Sequence, residues 1–303
     1  MQSKPLFTWA GGKNKMLKHY LPLMPDDING YCEPFFGGGA MFIHVMQNYK
    51  PKNVVINDIN PDIVRIYDCI KNNYDEFICR LNFLESEYIP KSGPTADSNG
   101  KLQRRCERWH YFMDVRKEHA DDYEKWSKPE EAATLYFLMK IGFNGIFQVN
   151  KNTNGRYGTP PGLMNQKDFV YDRDVVKWWH QALQNVDILS DNWDKACYLD
   201  DAFYFFDPPY RDSFADYGNA FSDDELLKLI KFSDNQRQVF LANREEEDRW
   251  FERNKLSLDM TTFSITYTAG RRKKVTKKNM FGEEEEVFEA KPATEVLLYR
   301  SKK

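Results

Sequence analysis

The chain has 303 residues, 41% of them hydrophobic and 15% aromatic, enough for one large domain or two ordinary ones with real cores. Its formal net charge is only −3, so any surface for nucleic acid has to be local and balanced by acidic patches elsewhere. Five scattered cysteines with no C-x-x-C pair exclude a disulfide framework and a zinc motif. No stretch approaches the ~18 unbroken apolar residues of a membrane span.

In chain order, Met1 to Lys13 lacks the apolar core of a signal peptide, and Gly11-Gly12-Lys13 lacks the earlier glycine of a P-loop. Tyr31 to Pro34 then predicts a strand, Phe36 to Gly39 a glycine turn, Ala40 to Tyr49 a helix and Asn53 to Asp58 a second strand. This is the opening of a parallel α/β sheet. Gly37 and Gly39 let a ligand approach the backbone and face the N-terminus of the following helix. Asp58 comes about twenty residues later, at the end of the next strand, from which a carboxylate reaches ribose hydroxyls. The third glycine of a G-x-G-x-x-G phosphate fingerprint is Phe42 here, so the pair of features indicates an adenosine-containing cofactor rather than a nucleoside triphosphate.

From about Asn72 to Asp187 the pattern becomes helical, interrupted by loops rich in Gly, Asn and Pro. It predicts an inserted, mostly helical domain, with a linker at Lys91 to Gly100, a helix over Pro129 to Ile141 and a hairpin signal at Asn154-Gly155. The apolar run Ala202 to Phe206 predicts another strand, stopped by Asp207-Pro208-Pro209-Tyr210 because two prolines cannot continue it. Ser222 caps a helix with Glu225 closing a capping box. Val239 to Ala242, Phe263 to Thr268 and Glu295 to Tyr299 predict late strands. The last two frame, like a long hairpin, the basic cluster Arg271, Arg272, Lys273, Lys274, Lys277 and Lys278.

The Asp207 to Tyr210 tetrapeptide carries the sharpest chemical signal. An amine conjugated to a purine ring is a poor nucleophile because its lone pair is delocalised. The Asp207 carboxylate and the Pro208 carbonyl suit the two amine hydrogens, Pro208 and Pro209 hold the acceptors without reorganisation, and Tyr210 offers a face for the base. In a duplex that base must first be flipped out, and an aromatic face offsets part of the lost stacking. Five histidines lack zinc-ligand spacing.

With these residues in place, the chain resembles, nearly end to end, the Dam-type D12 class of DNA adenine-N6 methyltransferases. Trp9 to Lys13 is similar to the family's N-terminal cofactor motif, Glu33 to Phe42 to its E-P-F-x-G-x-G, Asp58-Ile59-Asn60 to its D-I-N, and Asp207 to Tyr210 to its catalytic D-P-P-Y. The order of these motifs is that of the alpha group. The resemblance implies a Rossmann-like methyltransferase core over 1–71 and 187–303, interrupted by a mostly helical target-recognition domain over 72–186. It implies S-adenosyl-L-methionine as cofactor, no metal, double-stranded DNA as partner, and contacts to the cofactor from Trp9, Lys13, Glu33, Phe35, Asp58, Ile59 and Asp207. Taken alone, Lys13 reads as an exposed structural lysine.

Gly142 to Asn150 and Gly155 to Gly162 resemble the family's recognition hairpin, which puts Phe143, Asn144, Ile146, Gln148 and Asn150 on the DNA side. Gln148 stands where members that methylate GATC carry arginine. Arginine is the usual bidentate partner of guanine whereas glutamine suits adenine, so a GATC target does not follow. Arg271, Arg272, Lys273 and Lys274 are expected to clamp phosphates. Cytosine N4 or an adenine in RNA remains open as the acceptor, as does a non-catalytic DNA-binding role. A nicotinamide-dependent oxidoreductase fits the glycines less well. The expected setting is the cytoplasm of a bacterium, or of a cell infected by a phage encoding the chain, as a monomer or weak dimer.

Overall fold

The computed structural model describes residues 3–9, 11–211, 221–266, 273–278, 284–289 and 292–301. Two compact units divide the chain, one from 1–20 and 28–200, the other from 21–27 and 201–303. The fold is mixed α/β, as expected.

The first unit contains α1 (Asn14–Tyr20), β1 (Gly30–Glu33), α2 (Ala40–Asn48), β2 (Asn53–Asn57), α3 (Pro61–Asn72) and α4 (Tyr74–Tyr88). Then come β3 (Thr95–Ala96), β4 (Leu102–Gln103), α5 (Glu107–Asp122), α6 (Lys128–Ile141), α7 (Arg173–Ala182), β5 (Val186–Leu189) and α8 (Trp193–Ala196). β1 and β5 flank β2 and both run parallel to it, Gly30 beside Asn53 and Val186 beside Val54. Short apolar strands joined by helices close a parallel sheet of this kind because a parallel neighbour needs a crossover.

The helices follow their local chemistry. Asn60 caps α3, its side chain accepting the Asp62 N–H at 3.0 Å, and Pro61 occupies the first turn, where no N–H is needed. Ile63, Ile66, Tyr67 and Ile70 then fall on one buried face. Ser127 and Glu130 form a reciprocal capping box at the start of α6. Nearly every residue of α6 is buried because it packs against α3, α4 and α5, which is why its sequence shows little amphipathic alternation. Residues 72–186 therefore pack against α3 and lie within the first unit.

The second unit contains β6 (Ala202–Phe206), α9 (Asp223–Asp234), β7 (Gln238–Glu245), α10 (Trp250–Asn254), β8 (Asp259–Thr266), β9 (Lys273–Lys278), β10 (Glu284–Glu289) and β11 (Pro292–Arg300). β6 is parallel to β7, and β11 lies antiparallel between β7 and β8. The pairing of β8 with β11 is the predicted long hairpin. Within it β9 and β10 pair with each other, Lys273 opposite Glu289 and Lys278 opposite Glu284. Ser222 caps α9 as the sequence indicates, its hydroxyl accepting the Glu225 N–H.

Candidate active site

The glycine turn after β1 is locked to the end of β2. Asn57, 2% exposed, donates to the Pro34 carbonyl at 3.0 Å and to the Asp191 carbonyl at 2.9 Å, and its own carbonyl receives the Phe36 N–H. Asp58 extends the lock, one carboxylate oxygen accepting from Gly37 N–H and the other from Asn60 N–H, each at 2.9 Å. Burial pushes the Asp58 carboxyl up to about 6, against the two backbone N–H groups, which favour the charged form. Ile59 beside it is 62% exposed, an apolar surface next to an acceptor.

Gly37 and Gly39 both have positive φ, at 48° and 65°, where a side chain is strained. Space forbids one as well. A Cβ at Gly37 would lie 2.6 Å from the Trp9 ring, and one at Gly39 2.7 Å from Trp179 and 2.8 Å from Phe36. Beneath the turn, Trp179 stacks on Phe42 with centroids 5.2 Å apart, and Tyr67 donates to the Gly37 carbonyl. Glu33 is buried and accepts a 2.6 Å bond from Tyr31, whose phenol is pushed up by burial and by the Glu33 charge. Phe35 is half-buried.

Trp9 joins two predicted motifs. Its ring lies against Gly37 and its Cβ against Gly38, and the ring is 5.9 Å from that of Phe147. Thr8 sits against Gly145. Lys13 corrects one expectation: it is 3% exposed rather than a surface lysine, with Nζ donating to the Gly11 carbonyl at 3.2 Å.

The segment 142–162 folds back on itself through the bridges Gly142–Pro161 and Val149–Tyr157. Phe143, Asn144, Ile146 and Gln148 are exposed there, with Asn144 at φ 54°. Asn150 is exposed but its amide is engaged within the turn, with Thr153 and the Gly158 carbonyl. Arg156 points inward, ion-paired to Asp62 at 3.3 Å and lying 3.3 Å over the Tyr123 ring.

In the second unit, all of β6 is buried and its carboxyl end carries Asp207 (half-buried), Pro208 (buried), Pro209 and Tyr210. The Tyr210 hydroxyl donates to Glu295 on β11 at 2.6 Å, and Glu295 is fully buried. Arg211 follows. Its N–H reaches Asn243 of β7, its guanidinium pairs with Asp223 and Asp248 at 2.7 Å, and it lies 5.2 Å over the Trp250 ring. The D-P-P-Y segment is thus held from three sides by its own unit.

Sequence reasoning missed Asn57, Asn243, Glu295 and Arg211. The available signal for Glu295 was a lone charge in an otherwise apolar strand, Ala293 to Tyr299, and for Asn57 an amide ending an apolar run. Arg271 and Arg272 lie outside the described residues. Lys273 and Lys274 begin β9, of which the backbone is described. Among the described residues no three His, Cys, Asp or Glu side chains cluster as metal ligands, and no helix is long and apolar enough to cross a membrane.

The glycine turn fixed to a strand-end carboxylate and the D-P-P-Y strand end are the features that the sequence assigned to an enzyme that methylates an exocyclic amine. Residues 9–273 match the family model of D12 class N6 adenine-specific DNA methyltransferases, and the chain belongs to that family. It is 31% identical over 245 residues to the type II methyltransferase M.MjaIII of Methanocaldococcus jannaschii, covering 77% of this chain and 80% of that one. To the type II methyltransferase M.CviBI of Paramecium bursaria Chlorella virus NC1A it is 30% identical, over 76% and 78% of the two chains. To the DNA adenine methylase of Escherichia coli K12 it is 24% identical, over 90% and 93%. Adenine N6 in DNA is accordingly the acceptor, which removes the cytosine, RNA, binding-only and nicotinamide alternatives.

Proposed function

We propose that the chain is a site-specific methyltransferase that modifies adenine N6 in double-stranded DNA after flipping the base out of the helix. When bound, S-adenosyl-L-methionine supplies a methyl group activated by a sulfonium. The residues present fit it: Asp58 offers acceptors for ribose hydroxyls, and exposed Ile59 beside it offers an apolar face for the adenine ring. Trp9 and Phe35 supply aromatic surface, buried Glu33 and Lys13 polar groups, and Gly37 and Gly39 a backbone without side chains. The reading needs no metal.

Asp207 and the Pro208 carbonyl accept the two N6 hydrogens and localise the lone pair, Pro209 stiffens the loop, and Tyr210 stacks on the base. The nitrogen gains a methyl and then loses one proton to water or a nearby carboxylate. Residues 72–186 act as the target-recognition region, with Phe143, Asn144, Ile146, Gln148 and Asn150 at the DNA, and Arg271, Arg272, Lys273 and Lys274 on phosphates. The enzyme works in the cytoplasm of a bacterium or phage-infected cell as a monomer or weak dimer, in restriction-modification or protection of a genome.

The observation that carries this reading is the D-P-P-Y segment at the end of a fully buried strand, with Tyr210 anchored on buried Glu295. The test is to incubate the protein with unmethylated genomic DNA and S-adenosylmethionine, then map modified bases by sequencing. N6-methyladenine within one short motif, changed by Gln148→Arg toward a guanine at one position, is the expected outcome. Methylation without any sequence preference would sink the recognition reading.

Asp58 gives a pH signature. Ribose hydroxyls donate to its carboxylate, so binding favours the deprotonated form, and that form is lost as pH falls through about 6. Cofactor affinity should be level above pH 7 and weaker by roughly ten-fold at pH 5, since each unit below the pKa costs about a factor of ten. Calorimetric titration across pH 5–7.5 reads this slope. Asp58→Asn should bind weakly and without it; an identical slope in the variant would place the titrating group elsewhere.

A further inference from the structure

The start of α5 carries a basic and aromatic surface to which none of the family motifs gives a role. β3 and β4 form a small hairpin whose one acid, Asp97, is engaged inside it, accepting from Asn99 N–H, Lys101 N–H and Gln103. Glu107 is likewise engaged, accepting from the Ser92 backbone and hydroxyl, which hold its carboxyl below the usual range. The nearby acids are thus tied to local N–H and O–H groups. Lys101, Arg104 and Arg105 are exposed, and among the described residues none is in an ion pair.

The base beneath this surface is rigid. Arg108 is buried and donates to the carbonyls of Ile89, Lys91, Met164 and Gln166, stapling the end of α4, the start of α5 and the strand of chain after the recognition turn. Above it, the Arg105 guanidinium lies 5.7 Å over the Trp109 ring. An open groove of about 330 Å³ is lined by Arg104, Trp109, Phe143, Pro160, Pro161 and Met164. One cation therefore stands beside two aromatic rings and two prolines, with Phe143 itself 42% exposed.

We propose that this groove is a second DNA-contacting site, taking one nucleotide of the strand flanking the target. Arg104 and Arg105 meet its phosphates, and the base lies against Trp109 and Phe143. The inference rests on the reading that the Phe143 turn faces DNA. Charge selects the occupant: exposed guanidinium groups outside any described ion pair, one of them over an aromatic ring, match an anionic backbone that carries planar bases. Continuity with the Phe143 turn places the groove on the path of the same duplex. Phosphate contacts of this kind add affinity without adding sequence information.

The test compares full-length wild type, Arg104→Ala/Arg105→Ala, Trp109→Ala and Phe143→Ala for binding to a duplex carrying the mapped target with long flanks, at several salt concentrations. Melting temperature and cofactor binding confirm that each variant is folded, and Trp109→Phe provides a second probe if Trp109→Ala is not. The arginine pair should lower the slope of log affinity against log salt by about two, because each phosphate contact contributes about one. Trp109→Ala should weaken binding roughly ten-fold with the same methylated motif, and Trp109→Phe should restore most of it. If Phe143→Ala weakens binding while the arginine pair and the Trp109 variants bind as wild type, the groove holds something else, such as a protein partner, and the proposal fails alone. If all variants bind as wild type, the reading of the turn fails with it.

Discussion

Replacing Asp207 with alanine is expected to slow methyl transfer by about 10²- to 10³-fold, the usual cost of losing one preorganised polar group aimed at a developing charge. Cofactor binding to the Asp58 side should persist, and so should the melting temperature, because Asp207 is half-buried at a strand end rather than in the core. The size of the effect follows from rigidity. β6 is buried along its whole length, two prolines follow Asp207, and Tyr210 is pinned to Glu295, so the loop is held in place and the lost acceptor is not made good by a small shift of its own backbone. Single-turnover assays with labelled cofactor separate this from slow product release. A variant that methylates within five-fold of wild type would remove Asp207 from the chemistry.

The largest expected effect on stability comes from Glu131. Its carboxylate accepts from Arg65 at 2.7 Å and pairs with His119 at 2.9 Å, and its side chain is 4% exposed. Arg65 also reaches Asp62, which in turn holds Arg156, so four charged groups and a histidine link α3, α5, α6 and the recognition turn. Glu131→Ala leaves Arg65 short of its main partner inside the protein, at a cost of about 3–5 kcal/mol. The melting temperature should fall by roughly 6–20 °C.

The sign of its pH dependence is fixed too. Burial would raise the Glu131 carboxyl, but the His119 hydrogen bond and the Arg65 charge outweigh it and hold the group below its usual range. Its contribution is therefore complete above the unfolded value of about 4.3 and is lost as pH falls through the lower folded value. Acid melting curves of wild type and Glu131→Gln should converge at low pH. Parallel curves down to pH 3 would mean that another carboxyl governs acid unfolding.

Much of the fold and site was legible in the sequence because it is encoded locally. The strands at Tyr31 to Pro34, Asn53 to Asp58 and Ala202 to Phe206 announce themselves as short runs with turn residues close behind, and Ser222 caps the helix it was expected to cap. The spacing of the glycine turn and Asp58 pointed to one shared site, and the structure adds that they are hydrogen-bonded to each other. What the sequence hid are partners far along the chain. Glu295 supports Tyr210 from 85 residues away, and Asn57 brackets Asp191 from 134. Periodicity reports which face a residue takes, not what it meets there. Lys13 and Arg156 were hidden for the same reason: a long charged side chain reads as solvated until packing shows where its head is satisfied.

The position of β11 carries a consequence for synthesis. Among the described strands it comes last in chain order, so it is synthesised after both its neighbours, yet it lies in the interior of its sheet, hydrogen-bonded to β7 on one side and β8 on the other. Until it arrives, both neighbours present unpaired edges and Tyr210 has no Glu295. The second unit therefore cannot close its sheet until β11 has been synthesised. A chain cut before residue 292 lacks both the central partner of β7 and β8 and the anchor of Tyr210.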